Sequence, residues 1–325
     1  MGELLSKSSR SFADYQRTDK IIYHPILGEF LQLQNRDTGD VVIQKKVNQS
    51  QLEGANQTLV RTNLLLSHPN IIRFEGYEKS TNSQYLTYFE NFDHPLKQEI
   101  QMRATSNTRF TEKEIISLLR NISSALSHLQ GNRIVHGQIR SETIVKVGSE
   151  YKLLNMILFG NSKSTYQQAL EEMRKTQIRH LSPQLQDALF NQIVDPVHEG
   201  YKDDVYALGV VILDVMTLTV DSAVPVAEKL KRATEIYSKS LISLTNKMLE
   251  SIMSLRLDCI ACNTVIENMY VQKDVIPQGL YSSRISVRNS FVSEYRNNDP
   301  EKVNTNFLYS ISYPFTAFIN WSLSE

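Results

Sequence analysis

The chain has 325 residues, of which 41% are hydrophobic and 22% charged, as in ordinary globular proteins. Its 35 basic residues balance 35 acidic ones, which disfavours a general nucleic-acid or anionic-membrane binder, since those carry a basic excess. The longest apolar run, residues 206–218, is too short to span a bilayer and contains Asp214, so the chain is expected to be soluble.

The first third of the chain has the pattern of a small β-sheet. Apolar and polar residues alternate from Phe30 to Gln34, and Asn35 to Asp40 supply turn chemistry before the chain becomes apolar again, which predicts a hairpin. The predicted elements here are a loose polar leader over 1–20, hairpin strands at 30–34 and 41–43, a helix over 51–67, and strands at 71–74 and 85–89.

Helical periodicity dominates after Asp93. In residues 111–129 the apolar side chains recur on one helical face. The remaining predicted elements are helices over 167–176, 205–217, 227–237, 240–253 and 257–269, with short strands at 143–145 and 151–154. Strands followed by helices predict an α+β fold with two lobes. The predicted divisions are a leader (1–20), a β-rich N-lobe (21–92), a helical C-lobe (93–273) and a tail (274–325).

Two cysteines, Cys259 and Cys262, stand in a C-x-x-C spacing. A chain with only two cysteines predicts no disulfide framework and suits a reducing, cytoplasmic compartment. Residues 1–10 lack the apolar run of a signal peptide. No second cysteine pair or nearby histidine completes a zinc site, so we interpret both cysteines as packing residues and expect no metal there.

The tail differs in composition, being rich in Ser, Asn and aromatic residues, and it contains Trp321. Phe307, Tyr309, Ile311 and Tyr313 alternate with smaller or polar residues, which predicts an extended strand with one apolar face. Two interpretations stay open: the tail packs on its own domain, or it docks on another protein by strand addition or aromatic anchoring.

Several short segments stand in an order and spacing that points to one family. They are Val42-Ile43-Gln44-Lys45, His68-Pro69-Asn70, Phe89-Glu90-Asn91-Phe92, residues 134–144 (IVHGQIRSETI), Ser182-Pro183-Gln184, residues 203–210 (DDVYALGV) and Arg256. In the same order, these segments resemble seven parts of eukaryotic protein kinases. The parts are the lysine strand, the turn after helix C, the gatekeeper and hinge, the catalytic loop, the end of the activation segment, the buried helix and the C-terminal arginine. The resemblance covers about residues 21–271 and implies a two-lobed kinase fold with a C-terminal extension.

The acids that the resemblance implies for phosphoryl transfer are replaced. Gln138 stands in place of the catalytic base, and a carboxamide cannot accept the proton. Arg140 keeps the charge of the loop lysine, while Thr143 replaces the metal-binding asparagine. Asn155 takes the place of the metal-binding aspartate, or Leu158 does in an alternative register. Magnesium prefers carboxylate and phosphate oxygens, so no metal site is expected.

The nucleotide-binding parts are also reduced. Gly28 is the single glycine where the family has a glycine-rich loop, and Ile43 is larger than the alanine that packs on adenine. Lys45 matches the nucleotide lysine, but Leu59 stands where helix C supplies its glutamate partner, and Glu53 is too early. We expect no cofactor, and ATP binding stays open as an alternative with Lys45 and Gly28 as its residues.

The residues that shape the kinase scaffold are retained. The resemblance implies that His136 bonds the backbone in the core and that Asp204 caps the buried helix and binds the catalytic loop. It implies that Arg256 pairs with Gln184, which replaces a glutamate, through a neutral hydrogen bond. Gly137 replaces the arginine that binds an activation-segment phosphate, so phosphate on Ser162, Ser164 or Thr165 would lack its usual partner.

The sequence therefore predicts a pseudokinase that acts as a protein-binding scaffold or as a structural subunit of a cytoplasmic assembly, such as a cytoskeletal one. Its expected partners are other proteins, held in a stable assembly through the tail, with no nucleic acid and no membrane. The alternatives are a weakly active or atypical Ser/Thr protein kinase, with Glu142 as the nearest acid, and an ATP-sensing switch without phosphoryl transfer.

Overall fold

A computed structural model describes residues 11–48, 66–80, 83–161, 163–172, 175–220 and 224–274. Most of the predicted helix over 51–67, including Glu53 and Leu59, lies outside the described residues, as do Ser162 and the tail from residue 275. No helix in the described ranges has the length and apolar character needed to cross a membrane.

The N-lobe contains a five-stranded antiparallel sheet with strand order β1-β2-β3-β5-β4. Its strands are β1 (Tyr15–His24), β2 (Gly28–Asn35), β3 (Val41–Asn48), β4 (Phe74–Lys79) and β5 (Gln84–Glu90). The predicted hairpin is confirmed as β2 and β3. Its turn is closed by Asn35 Oδ1, which accepts the N–H groups of Asp37 and Thr38 at 2.9 and 2.8 Å.

Two predictions for this lobe were wrong in part. Residues 15–20 belong to β1 and not to a loose leader, because Phe12 stacks on the buried Tyr88 with ring centroids 3.7 Å apart and brings the chain onto the sheet. The predicted strand over 71–74 is displaced, since β4 begins at Phe74. Ile71 instead forms a bridge with Leu153, so this stretch joins the two lobes.

The C-lobe is helical and is organised around one buried helix. Its helices are α1 (Leu96–Ser106), α2 (Glu112–Gly131), α3 (Thr165–Glu172), α4 (Pro183–Phe190), α5 (Gly200–Thr217), α6 (Val226–Thr234), α7 (Lys239–Met248) and α8 (Cys259–Asp274). In α5 every residue from Asp203 to Met216 is buried, so α5 forms the centre of the lobe. α2 packs its apolar face into the same core and begins with a capping box of Thr111 and Glu114.

Helical periodicity located α2, α3, α5, α6 and α8 but missed α1 and α4. α1 buries only Leu96, Glu99 and Ile100, too few to give a periodic signal, and α4 is a short helix that begins at Pro183. The helix predicted over 240–253 corresponds to α7, which ends earlier, at Met248. Cys259 and Cys262 are buried free thiols within α8, as their interpretation as packing residues requires.

A small sheet and the loops beside it stand between the lobes. It consists of β6 (His94–Pro95), β7 (Ile144–Val147) and β8 (Glu150–Leu153). Leu153 N donates to Asn70 O at 2.8 Å and Leu153 O accepts Ile72 N at 2.9 Å, which ties β8 to the N-lobe. The loop before β7 and the 3-10 turn after β8 (Met156–Phe159) therefore face the N-lobe sheet.

Candidate functional site

The loop between α2 and β7 uses its polar side chains to hold itself together. Gln138 is only 2% exposed. Its Nε2 donates to Asn161 O at 3.1 Å, and its Oε1 accepts from Arg140 Nη2 at 3.3 Å and Gln168 Nε2 at 3.2 Å. Both ends of this amide are thus engaged with the chain that follows, and Arg140 is committed to the same network.

Thr143 has the same inward role. Its Oγ1 donates to Gln138 O at 2.7 Å and accepts the N–H of Arg140 at 3.2 Å, while the residue is fully buried. Asn155, also buried, precedes the 3-10 turn and accepts Leu158 N through its backbone oxygen at 3.0 Å. Within the described ranges, no group of three or more His, Cys, Asp or Glu side chains could hold a metal ion.

Lys45 lies on β3, half-buried, while its neighbour Lys46 is exposed. The Lys45 ammonium donates to the backbone oxygen of Leu27 and reaches that of Glu29 at 3.4 Å. It also lies 5.4 Å from the centroid of the Phe30 ring. Burial lowers the pKa of Lys45, against the opposing attraction of Glu29. The backbone oxygens of Leu27 and Glu29 therefore bind the Lys45 ammonium. These two residues flank Gly28, whose φ is +75°.

Aromatic side chains pack against one another where the two lobes meet. Phe159, from the 3-10 turn, stacks on Phe89 of β5 at 4.0 Å between ring centroids and meets Phe30 of β2 edge-on at 5.6 Å. Phe30 meets Phe92 edge-on at 5.6 Å. We call this set and the buried side chains packed with it the cleft cluster; its other members are Ile22, Leu27, Ile43, Ile72, Val145, Leu154, Met156 and Leu158.

His24 connects the β1–β2 turn directly to the loop before β7. Its Nδ1 accepts the N–H groups of Ile26 and Leu27 at 3.2 and 3.0 Å, so the ring proton is on Nε2. Nε2 donates to Glu142 O at 2.7 Å. Burial lowers the pKa of His24 to about 4, which keeps the ring neutral. Sequence reasoning missed this bond, because the two residues are 118 positions apart.

A family model described as protein kinase domain matches residues 26–324. The chain belongs to the protein kinase family. Among its relatives, the serine/threonine-protein kinase Aurora-2 of Arabidopsis thaliana is 24% identical over 251 residues, which cover 74% of this chain and 82% of that protein. Aurora-1 of the same plant is 22% identical over 74% of this chain and 79% of its own length. The predicted family and two-lobed kinase fold are confirmed, and the match extends into the predicted tail.

Asp204 and His136, which match scaffold residues of the kinase family, form hydrogen bonds to the backbone. Asp204 accepts the N–H groups of His136 and Gly137, both at 2.8 Å, and burial raises the pKa of Asp204 to about 7 against these two bonds. His136 Nε2 donates to Leu154 O at 3.0 Å and burial lowers its pKa to about 4. The expectation that Asp204 caps the helix was wrong, since α5 begins at Gly200 with Glu199 as its N-cap.

Arg256 joins the end of the activation segment to α5. Its Nη2 donates to the neutral amide oxygen Oε1 of Gln184 at 3.0 Å, which is the pairing that the sequence implied. Its Nη1 also reaches Asp203 Oδ1 at 3.3 Å, with the guanidinium side chain fully buried. The charge partner is thus Asp203, one position before the motif aspartate, and sequence comparison with the family motif gave no signal for it.

Gly137 has a left-handed backbone conformation and packs against Ser164 and Thr165 at the start of α3. Its φ is +69°, its oxygen accepts Thr165 N at 2.8 Å, and an added Cβ would meet Ser164 Cβ at 3.3 Å. We expect Gly137→Ala to lower the free energy of unfolding by about 1–3 kcal/mol, because the backbone strain adds to this contact. Urea denaturation measures the change.

Gly148 supplies the matched control. It has a similar φ of +58°, but an added Cβ would have nothing within 4 Å. Gly148→Ala should therefore show the cost of the backbone conformation alone, about 1 kcal/mol. Equal losses in the two variants would contradict the importance of the Ser164 contact.

Proposed function

We propose that this chain is a pseudokinase, a protein kinase domain that binds and positions other proteins without transferring phosphate. The observation that carries the proposal is the cleft cluster. Side chains from the lysine strand, the gatekeeper, the hinge and the segment after β8 pack against one another where a kinase holds its nucleotide. The family assignment gives the chain a protein kinase fold. The packing of its own side chains in the cleft supports a role in binding other proteins rather than a nucleotide.

Nucleotide entry would require this packing to open. Phe30, Phe89 and Phe159 are each at most 4% exposed. Exposing one such side chain costs about 1.5–3 kcal/mol. The ligand would also have to displace the carbonyls bound to Lys45 and the bond between His24 and Glu142, each worth about 1 kcal/mol. We infer that nucleotide affinity is low.

The chemistry of transfer is also unsupported. An amide at Gln138 in place of a general base costs about 10²- to 10⁴-fold in rate. Thr143 and Asn155 bring no carboxylate to neutralise magnesium and the phosphates. These effects do not multiply simply, but together they favour a protein whose kinase fold serves recognition.

The rival candidate is an active Ser/Thr protein kinase, which the names of the two Aurora relatives favour. Its base would have to be Glu142. Burial opposes ionisation of this carboxyl, but the charge and hydrogen bond of Lys97 outweigh it and lower the pKa of Glu142. Lys97 Nζ lies 3.0 Å from Glu142 Oε1. A carboxylate stabilised in this way is a weak proton acceptor.

Thermal unfolding with ATP, in the presence and absence of magnesium, tests the proposal on the intact chain. We expect no shift in Tm, whereas a ligand at 100 times its Kd would stabilise the fold by about 2.7 kcal/mol. Incubation with labelled Mg-ATP should give no incorporation into the chain itself.

Two variants separate the alternatives. A shift in Tm that disappears in Lys45→Ala would replace the proposal with an ATP-sensing switch. Phosphate incorporation that disappears in Glu142→Gln would replace it with an active kinase. The partners, the cytoplasmic location and docking through the tail stay predictions, and co-purification with and without residues 275–325 tests the last of these.

A further inference from the structure

The three most exposed large apolar side chains in the described part of the chain lie in one short segment. Phe190, Val194 and Val197 are 80%, 79% and 92% exposed, and Ile193 between them is 45% exposed. They occupy the end of α4 and the connection to α5. We call this segment the 187–199 surface. Apolar residues gathered this way mark interaction sites more often than scattered ones do.

Hydrogen bonds hold the backbone that presents these side chains. Ile193 N donates to Ala188 O at 2.9 Å, and the Tyr166 hydroxyl donates to Ile193 O. His198 Nδ1 lies 2.7 Å from Asp203 Oδ2 at the other end of the segment. The side chains of Tyr166 and Ala188 pack in a small core beneath it. The apolar residues therefore point outward from a held frame, which reduces the ordering cost of binding.

Apart from His198, the charged side chains of this segment are acidic; His198 lies against Asp203, whose hydrogen bond raises the pKa of His198. Residues 180–201 contain no Lys or Arg, while Asp187, Asp195 and Glu199 are all exposed. The nearest cation in the sequence, Lys202, is already engaged, with its Nζ 3.3 Å from Glu199 and 3.0 Å from Met253 O. A partner that covers the 187–199 surface must therefore bring both apolar side chains and positive charge.

We propose that the 187–199 surface docks a basic amphipathic segment of another protein. This deepens the proposed scaffold function and rests on it. A second copy of the chain fits less well, because a twofold contact through this surface would bring its acidic residues against one another. An anionic membrane would repel the same residues.

Selection from a displayed random-peptide library against the intact protein tests the docking proposal. We expect enriched peptides that combine large apolar residues with Lys or Arg and whose binding weakens as salt is added. The double variant Val194→Asp and Val197→Asp should weaken their binding about tenfold or more, as loss of a central apolar contact does. Both side chains are exposed in the structure, so the variant keeps its fold.

Met102→Asp, on α1 and 47% exposed, is the matched control and should bind the peptides as the unchanged chain does. Asp187→Asn with Asp195→Asn should weaken binding and reduce its dependence on salt. Absence of enrichment, enrichment of acidic peptides, or equal binding to the Val194 and Val197 variant would overturn the docking proposal. Self-association that the same variant abolishes would assign the surface to a second copy. ATP binding is measured separately, so a failure of either proposal is recognisable by itself.

Discussion

Phe159→Ala is expected to lower the free energy of unfolding by about 3–5 kcal/mol, as large-to-small changes of a buried aromatic residue do. Phe159, from the turn after β8, is 4% exposed and contacts the rings of Phe89 and Phe30, which both belong to the N-lobe sheet. Its loss removes apolar burial and also leaves a cavity between the lobes. The loss should be measured by urea denaturation, with the slope checked for two-state behaviour.

Phe190→Ala is the matched control, because it removes the same ring from a site that is 80% exposed. Its expected effect is within about 0.5 kcal/mol. The cavity in Phe159→Ala is lined by apolar groups, so a small aromatic molecule such as benzene should bind there and recover part of the stability. A Phe159→Ala protein as stable as the unchanged chain would show that the ring does not seal the cleft.

The same variant separates two reasons for a lack of nucleotide binding. If the aromatic ring alone blocks the cleft, Phe159→Ala should gain a thermal shift with ATP. We expect no such gain, because Lys45 remains bound to the backbone oxygen of Leu27, and neither Thr143 nor Asn155 brings a carboxylate to hold magnesium. A gain would place the obstruction in Phe159 itself.

Much of the fold could be predicted from the sequence, since it follows from local periodicity. The alternation of apolar and polar residues and the turn residues from Asn35 predict the β2–β3 hairpin. The single apolar face of residues 111–129 predicts α2. α1 and α4 are short and bury few residues, so they give little periodic signal. β1 forms although its sequence begins as a polar stretch, because pairing with β2 and the packing of Phe12 on Tyr88 stabilise it. The sequence pattern of β1 itself does not reveal these contacts.

The candidate site was predictable only in part, for a similar reason. The identities of Gln138, Thr143 and Asn155 are visible in the sequence, so motif comparison alone gives the prediction that the catalytic base and metal ligands are replaced. What fills the cleft depends on contacts between distant residues. The bond from His24 to Glu142 and the stacking of Phe159 on Phe89 arise only when the lobes meet. No local pattern predicts them.

A buried ionic triad holds the end of the activation segment to the centre of the C-lobe. Asp214 of α5 is 0% exposed, and it meets Lys229 Nζ of α6 at 2.7 Å. Arg179 contacts both carboxylate oxygens, at 2.9 Å through Nη1 and 2.8 Å through Nη2. Lys229 is 1% exposed, so its charge has no access to water. Such groups are costly to bury alone and tolerable only together.

Asp214→Ala is therefore expected to lower the free energy of unfolding by about 3–5 kcal/mol, because it removes the buried carboxylate that both cations contact. Lys229→Met alone should cost less, since Arg179 still pairs with Asp214. In the Asp214→Ala background, however, Lys229→Met should raise stability, because it removes a buried ammonium that has lost the Asp214 carboxylate. A double-mutant cycle by urea denaturation measures this reversal of sign.

Arg232→Met on the same helix is the control for Lys229→Met. Arg232 pairs with Glu228 at 3.0 Å, but both side chains are about half exposed, at 52% and 45%. Exposed pairs contribute at most about 1 kcal/mol, so this change should have a small effect that is the same with and without Asp214. If Lys229→Met destabilised the chain equally in both backgrounds, the ionic coupling would be excluded and the side chain would matter only for packing. The reversal would show that the carboxylate of Asp214 is what makes the buried ammonium of Lys229 tolerable in this core.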